Sequence, residues 1–158
     1  METLISSLLE ARENNAVHTV DARATVTEAV QMMNKRNIGA VAIISGGGLA
    51  GIFTERDVLR RVIDGRLDAD TTPVTDVMTR EVVVISPTDT VRDALVLVDT
   101  RNCRHLPVMD GDRLVGMVSM RDLVGAVVDG QEHRIAELTD YIYGGYGRHV
   151  GAGGQGAE

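Results

Sequence analysis

The sequence predicts a mixed α/β sandwich, an α+β fold made of two tandem β-α-β-β-α repeats packed about a pseudo-twofold axis. Three observations lead there. The first is an internal repeat: Val17 to Gly65 and Val82 to Gly130 keep step without a gap, 65 positions apart, as Thr25 and Thr90 show. Thr25-Val26 matches Thr90-Val91, Arg36-Asn37 matches Arg101-Asn102, and Thr54-Glu-Arg-Asp57 matches Ser119-Met-Arg-Asp122. The second is the alternation, inside each copy, of short apolar runs with segments of helical periodicity. The third is size: a copy of about fifty residues falls short of what usually sustains a core alone, so the two copies should share one. Twin units packed in this way leave two equivalent clefts between them, and function is to be sought there.

The elements come in order. Thr3 to Glu13 reads as a short amphipathic helix with Leu4, Ile5, Leu8 and Leu9 on one face. Val17 to Val20 is a short strand. Thr25 or Thr27 caps a helix to about Arg36, with Val26, Ala29, Val30 and Met33 at helical spacing. Ala40 to Ile44 is almost wholly apolar, as a strand covered on both faces should be. Gly46-Gly47-Gly48 is a turn, Leu49 to Phe53 the next strand, and Thr54 opens a helix through Ile63 that Asp64-Gly65 closes. After a polar linker, Thr75 to Met78 forms one helical turn and the order repeats: strand Val82 to Ile85, helix Thr90 to Thr100, strand Leu106 to Met109, a turn at Asp110-Gly-Asp-Arg, strand Leu114 to Val118 and helix Ser119 to Val128. Helical character resumes from Gln131 to Tyr141. The domain plan is thus an N-terminal helix at 1–16, repeats at 17–65 and 75–130 joined by a linker at 66–74, a helical extension at 131–143, and a flexible Gly-rich tail at 144–158.

Composition narrows the function classes. The formal net charge of −7 argues against non-specific binding to nucleic acid or to an anionic membrane, while leaving room for an anionic ligand in a locally basic cleft. Cys103 is the single cysteine, so no intramolecular disulfide forms and a reducing compartment is expected. No apolar run approaches the eighteen or so residues of a membrane helix, and the first residues do not read as a targeting peptide. A cytosolic location is expected. One Phe, three Tyr and no Trp leave the core to Val, Ile, Leu, Ala and Met. His133 and His149 stand apart from other metal-ligand types, and no Cys/His spacing suggests zinc. The glycines at 46–48 lack the Lys-Ser/Thr of a P-loop.

The sharpest local signal is Gly51-Ile-Phe-Thr54-Glu-Arg-Asp57 and its twin Gly116-Met-Val-Ser119-Met-Arg-Asp122. A strand ends, a hydroxyl residue comes next, and an acid stands three places later at a helix start. One reading is a capping box, in which each side chain satisfies a free backbone N–H, worth about 1 kcal/mol per cap. The other is a ligand seat. A helix N-terminus offers free N–H groups and a positive dipole end to a phosphate. The hydroxyl and the arginine add bonds to phosphate oxygens, and the acid can accept from both hydroxyls of a ribose. Capping alone does not require Arg56 and Arg121 in both copies. Both readings stand at this point.

Several further segments, Val77-Met78-Thr79, Ile85-Ser-Pro-Thr-Asp-Thr-Val91 and Arg104-His-Leu-Pro-Val108, join the two helix-start motifs in a resemblance. Each repeat resembles the cystathionine-β-synthase (CBS) domain, and the two together resemble a Bateman module, over about residues 3 to 142. The ending Tyr141-Ile-Tyr-Gly-Gly-Tyr146 is similar to that of stand-alone single-pair CBS proteins, which carry no catalytic domain. The resemblance implies a regulatory ligand of adenosine type: AMP, ADP, ATP, S-adenosylmethionine or NAD(H). Carried over by position, one site joins Thr54, Arg56 and Asp57 to Val83, Cys103, Arg104 and His105. The other joins Ser119, Arg121 and Asp122 to His18, Ile38, Gly39 and Ala40. Arg104-His105 is matched by Gly39-Ala40 in the alignment, so the first site should carry more positive charge and prefer more phosphate. The resemblance also implies a homodimer acting on an unidentified regulated protein, with no required cofactor. The apolar residues Val58, Leu59, Val62, Leu123, Val124 and Val127 are expected to exceed what one core covers. No nucleophile–base pair, metal set or paired catalytic carboxylates is evident, so no enzymatic activity is expected. The alternative is a ligand-independent interaction scaffold.

Overall fold

Each repeat begins on a threonine cap. In a computed structural model describing residues 2–14 and 16–144, with side chains through residue 140, helix α2 (Val26–Arg36) is capped by Thr25 and helix α4 (Val91–Arg101) by Thr90. Each is a closed capping box, with Glu28 and Asp93 returning the bond. Both helices end on asparagine in the left-handed region, Asn37 at φ 52 and Asn102 at φ 48. Asparagine tolerates that conformation better than other side-chain-bearing residues.

Strands β1 (Thr19–Asp21), β2 (Ala40–Ser45) and β3 (Gly48–Thr54) form one sheet in the order β1-β2-β3, with β1 parallel to β2 and β3 antiparallel to it. Strands β4 (His105–Asp110) and β5 (Arg113–Ser119) form an antiparallel hairpin. The repeat extends to register. Ala40 pairs with Thr54 as His105 pairs with Ser119, and each hairpin slips at the same place, between Ile43 and Ile44 and between Val108 and Met109. Ala40, Val41, Ala42 and Ile43 are buried, as the apolar run required.

One expected strand is missing. Val82 to Ile85 contracts to a single parallel bridge, Ile85 to Val108, in the register that Val20 to Ile43 has in the first repeat. Upstream, Thr79 pairs with Ile52 through two backbone bonds of 3.0 and 2.8 Å, so the chain must cross from β3 to β4 within a few residues. The Val82 N–H turns back onto the Arg80 carbonyl instead of entering a ladder.

The leading segments exchange places. Helix α1 is shorter than expected (Ile5–Glu10), and its entry packs on the second repeat: the Val91 N–H donates to Thr3, and the Ile5 N–H to Asp89. The segment before the second repeat docks on the first in the same way, Val26 donating to Thr72 and Val74 to Ala24, through the 3₁₀ turn Val74–Asp76. The two leading segments therefore correspond at 69 positions, Thr3 to Thr72, where the repeats correspond at 65. Glycines permit the close approach. A Cβ on Gly51 would lie 2.6 Å from Met78 Sδ, and one on Gly116 2.8 Å from Leu9 Cδ2.

The final helices depart from expectation in opposite directions. The short helix α3 (Glu55–Asp57) widens into a π-helical stretch, Val58–Ile63, and Arg66 at φ 53, not Gly65, carries the left-handed residue at its end. The polar linker stops it: the Asp68 side chain accepts from the Asp70 N–H, and Leu67 returns to the Val62 carbonyl. In the second repeat the Asp129-Gly130 break does not occur, and helix α5 runs unbroken from Met120 to Gly144. A mid-helix glycine costs about 1 kcal/mol relative to alanine, which the helix formers after it outweigh. The described chain divides into two units, one through Leu123 and one from Val124 onward. The expected apolar faces are split: Val62 and Leu123 are buried, Val58 partly so, while Leu59, Val124 and Val127 are exposed. The tail expected to be flexible, apart from Gly144, lies outside the described residues.

Candidate functional site

Strand β3 delivers Thr54 to the start of α3, and the first cleft is built there. Asp57 is 6% exposed and the only buried charged residue among those described. Its Oδ2 accepts from the Thr54 N–H at 3.0 Å and the Thr54 hydroxyl at 3.1 Å, and the Thr54 hydroxyl accepts from the Asp57 N–H. Its Oδ1 accepts from the Thr79 hydroxyl at 3.2 Å and lies 3.5 Å from Arg61 Nε. Arg61 is in turn held by the Met78 carbonyl at 2.7 Å. The acid therefore caps its own helix, as the first reading requires.

Beside it lies a hollow of about 530 Å³. Thr54, Arg56, Asp57, Val83, Cys103, Arg104 and His105, the residues carried over for the first site, all line it. The wall also includes residues that sequence reasoning did not name for this cleft. Thr79 lay in a quoted segment, but nothing in the sequence tied its hydroxyl to Asp57. Glu55, Arg60, Glu81 and Arg101 were not singled out. Gly39, expected in the second cleft, stands on this wall, where a Cβ would lie 3.3 Å from Glu55 Oε2 and 3.4 Å from His105 Cε1. Four arginines (56, 60, 101 and 104) face three acids (Glu55, Asp57 and Glu81) around the hollow, in a chain of net charge −7. Arg56 makes a 3.4 Å bond to the Asn102 carbonyl. Among the described residues, the side chains of Arg60, Arg101 and Arg104 make no hydrogen bond or ion pair. A locally cationic wall with uncommitted guanidinium groups suits phosphate.

Burial pushes the His105 imidazole below its usual range. Glu55 and Asp122 pull it the other way, and Arg104 adds to the depression. A neutral imidazole beside the hollow can take up a proton when an anion binds there. Burial raises the Cys103 thiol, against smaller opposing pulls from its own backbone hydrogen bond and Arg101. The thiol is 4.0 Å from the Leu97 carbonyl and is not poised as a nucleophile.

The second cleft uses the same cap with other surroundings. Asp122 Oδ2 accepts from the Ser119 N–H and hydroxyl, both at 2.7 Å. Arg12 Nη2 lies 2.7 Å from the same oxygen, and Arg12 Nη1 donates to the Met117 carbonyl at 2.8 Å. The other residues expected here differ in burial. Arg121 is exposed, His18 is half-buried with its carbonyl accepting from Ala42, Ile38 packs against the core, and Ala40 is buried in it. Arg12 was not anticipated; a separate alignment of the leading segments would have exposed it.

No group of three or more His, Cys, Asp or Glu among the described residues is arranged to hold a metal ion. No described helix is long and apolar enough to cross a membrane.

This geometry has relatives. The "CBS domain-containing protein CBSX3, mitochondrial" of Arabidopsis thaliana is 39% identical over 127 residues, 77% of this chain; the match spans 62% of that protein's own length. A solved protein with CBS domains from Burkholderia ambifaria MC40-6 superposes with a TM-score of 0.78 at 33% identity, covering 82% of this chain and 96% of the other. The CBS domain pair of protein MJ0100, solved in complex with 5′-methylthioadenosine and S-adenosyl-L-methionine, shares the fold at a TM-score of 0.71 and 23% identity, covering 83% of this chain and 99% of that one. The sequence signature of the CBS domain matches twice, at residues 13–64 and 74–129. With two copies of the domain set in matching register, this chain belongs to the CBS domain family.

Proposed function

We propose that the chain is a regulatory CBS pair that binds an adenosine nucleotide in the hollow beside Asp57 and, as a homodimer, modulates a partner protein. CBS pairs are regulatory modules, and the pair of MJ0100 takes adenosine ligands. The observation that carries the reading is the convergence of Thr54, Arg56, Asp57, Val83, Cys103, Arg104 and His105 on one hollow of about 530 Å³, a size suited to a small ligand. The uncommitted arginines favour a phosphorylated adenosine over an uncharged one. Because the Asp57 carboxylate is already bonded on both oxygens, phosphate is the first point of attachment, and ribose hydroxyls compete with Thr79 for Asp57. Differential affinity for two packings of the chain, or of its dimer, would pass the signal on. Leu59 and Ile63, 65% and 64% exposed on the π-helical stretch, are the first unit's contribution to a self-association surface.

A second reading rests on the same caps. If Asp57 and Asp122 only close their own helices, the chain is a ligand-independent scaffold. Titration calorimetry with AMP, ADP, ATP, S-adenosylmethionine and NADH separates the two. The sensor reading expects saturable heat from at least one of them, weakened about tenfold or more in Asp57→Asn, where one charge-assisted contact is lost. Silence with all five ligands favours the scaffold. Light scattering that finds only monomers would remove the dimer from the proposal.

A further inference from the structure

The leading segments, matched at 69 positions, put Arg12 where the first repeat has Glu81. Thr3 and Thr72 accept from equivalent amides, Ile5 and Val74 donate to equivalent carbonyls, and Leu9 and Met78 press on equivalent glycines. Glu81 lines the hollow and, among the described residues, its carboxylate makes no hydrogen bond or ion pair. Arg12 instead reaches Asp122 at 2.7 Å and the Met117 carbonyl at 2.8 Å. Met117 corresponds to Ile52, whose carbonyl takes the Thr79 N–H at 2.8 Å. Position 79 corresponds to Glu10, which cannot donate to an acid. One guanidinium therefore takes the place of the Thr79 backbone at the Met117 carbonyl and pairs with Asp122, but on the Oδ2 that Ser119 already holds, where Thr79 reaches the other oxygen of Asp57. It also brings far more bulk and a full positive charge to the acid. The first cleft differs in this respect as well: Arg61, the cation on Asp57, is not part of the hollow's wall and leaves that side open.

We infer that the second cleft is closed by the chain's own Arg12, whose guanidinium, with Nη2 buried against Asp122, neutralises the charge that a ligand's hydroxyls would need, so that each chain takes one nucleotide, at the Asp57 hollow. This rests on reading that hollow as a nucleotide site, and the test keeps the two apart. ATP is titrated calorimetrically into the full chain, Arg12→Ala, Asp57→Asn, and the double variant. Arg12→Met, which keeps an aliphatic stem, replaces Arg12→Ala if circular dichroism shows that the alanine variant does not fold. Read at ATP concentrations that fill the unmodified hollow but not one weakened tenfold or more, the expected stoichiometries are one per chain for the starting protein, two for the Arg12 variant and one for the double variant. Two sites in the starting protein, or no site gained on removing Arg12, overturns the closure. If the starting protein binds no ATP but the double variant binds one, the Asp57 reading fails and the closure stands. If neither binds, both fall.

Discussion

The two repeats carry the same acid at the same helix start and surround it differently. Asp57 is buried and bonded by Thr54, Thr79 and Arg61, with an open basic hollow beside it. Asp122, with its side chain 36% exposed, is hydrogen-bonded by Ser119 and ion-paired with an arginine from the N-terminal segment. Cap, register and bulge are repeated to the residue; the cleft walls are not. The reason is topological. Each repeat supplies its own helix cap, but part of the wall facing that cap comes from the segment leading into the other repeat, and those two segments diverged in length and charge.

The largest effect should separate the two glycines under the leading segments. A methyl on Gly51 meets the Thr79 carbonyl at 2.7 Å as well as Met78, whereas one on Gly116 meets only the flexible Leu9 side chain. Urea denaturation should show Gly51→Ala costing about 3 kcal/mol and Gly116→Ala about 1 kcal/mol. Equal losses would mean that the two docking segments are equally pliable. Next come the acids. Asp57→Ala strands the Thr54 N–H and the Thr79 hydroxyl at a largely buried site and should cost roughly 2–3 kcal/mol. Asp122→Ala, at a more exposed site, should cost about 1 kcal/mol. A reversed order would show that the Arg12 link matters more than burial. The caps Thr25 and Thr90, where the halves are alike, should lose about 1 kcal/mol each on change to alanine. A clear inequality there would break the claim of matched caps.

The smallest effect is pH dependence from His105, whose counterpart in the first repeat is Ala40, a residue that does not titrate. The unfolded imidazole titrates near 6.5, and the folded one lower because of burial, despite Glu55 and Asp122. Between those values the unfolded chain takes up the proton. Stability should therefore fall as pH drops from about 6.5 toward the folded value, then level off for this group. His105→Gln should remove that slope. A slope of the opposite sign would mean that Glu55 and Asp122 outweigh burial at His105.

Much of this was legible in the residues. The repeat offset, both threonine caps, the apolar strand at Ala40 to Ile44 and the gathering of Thr54, Asp57 and Arg104-His105 come from local pattern and resemblance. The features that were not legible depend on tertiary placement. Val82 to Ile85 has strand composition, yet the Thr79–Ile52 pairing pulls it off the ladder. Asp64-Gly65 and Asp129-Gly130 are identical pairs with different outcomes, decided by a polar linker after the first and helix-forming residues after the second. Arg12 escaped because an alignment starting at Val17 leaves out the segment that walls the second cleft.

Amide chemical-shift mapping during an ATP titration tests the asymmetry most directly. Shifts should concentrate at Gly39, Thr54 to Asp57 and Cys103 to His105, leaving Arg12, Met117 and Ser119 in place. Shifts centred on Ser119 to Asp122 and Arg12, or none anywhere at saturating nucleotide, would contradict a ligand site in the Asp57 hollow.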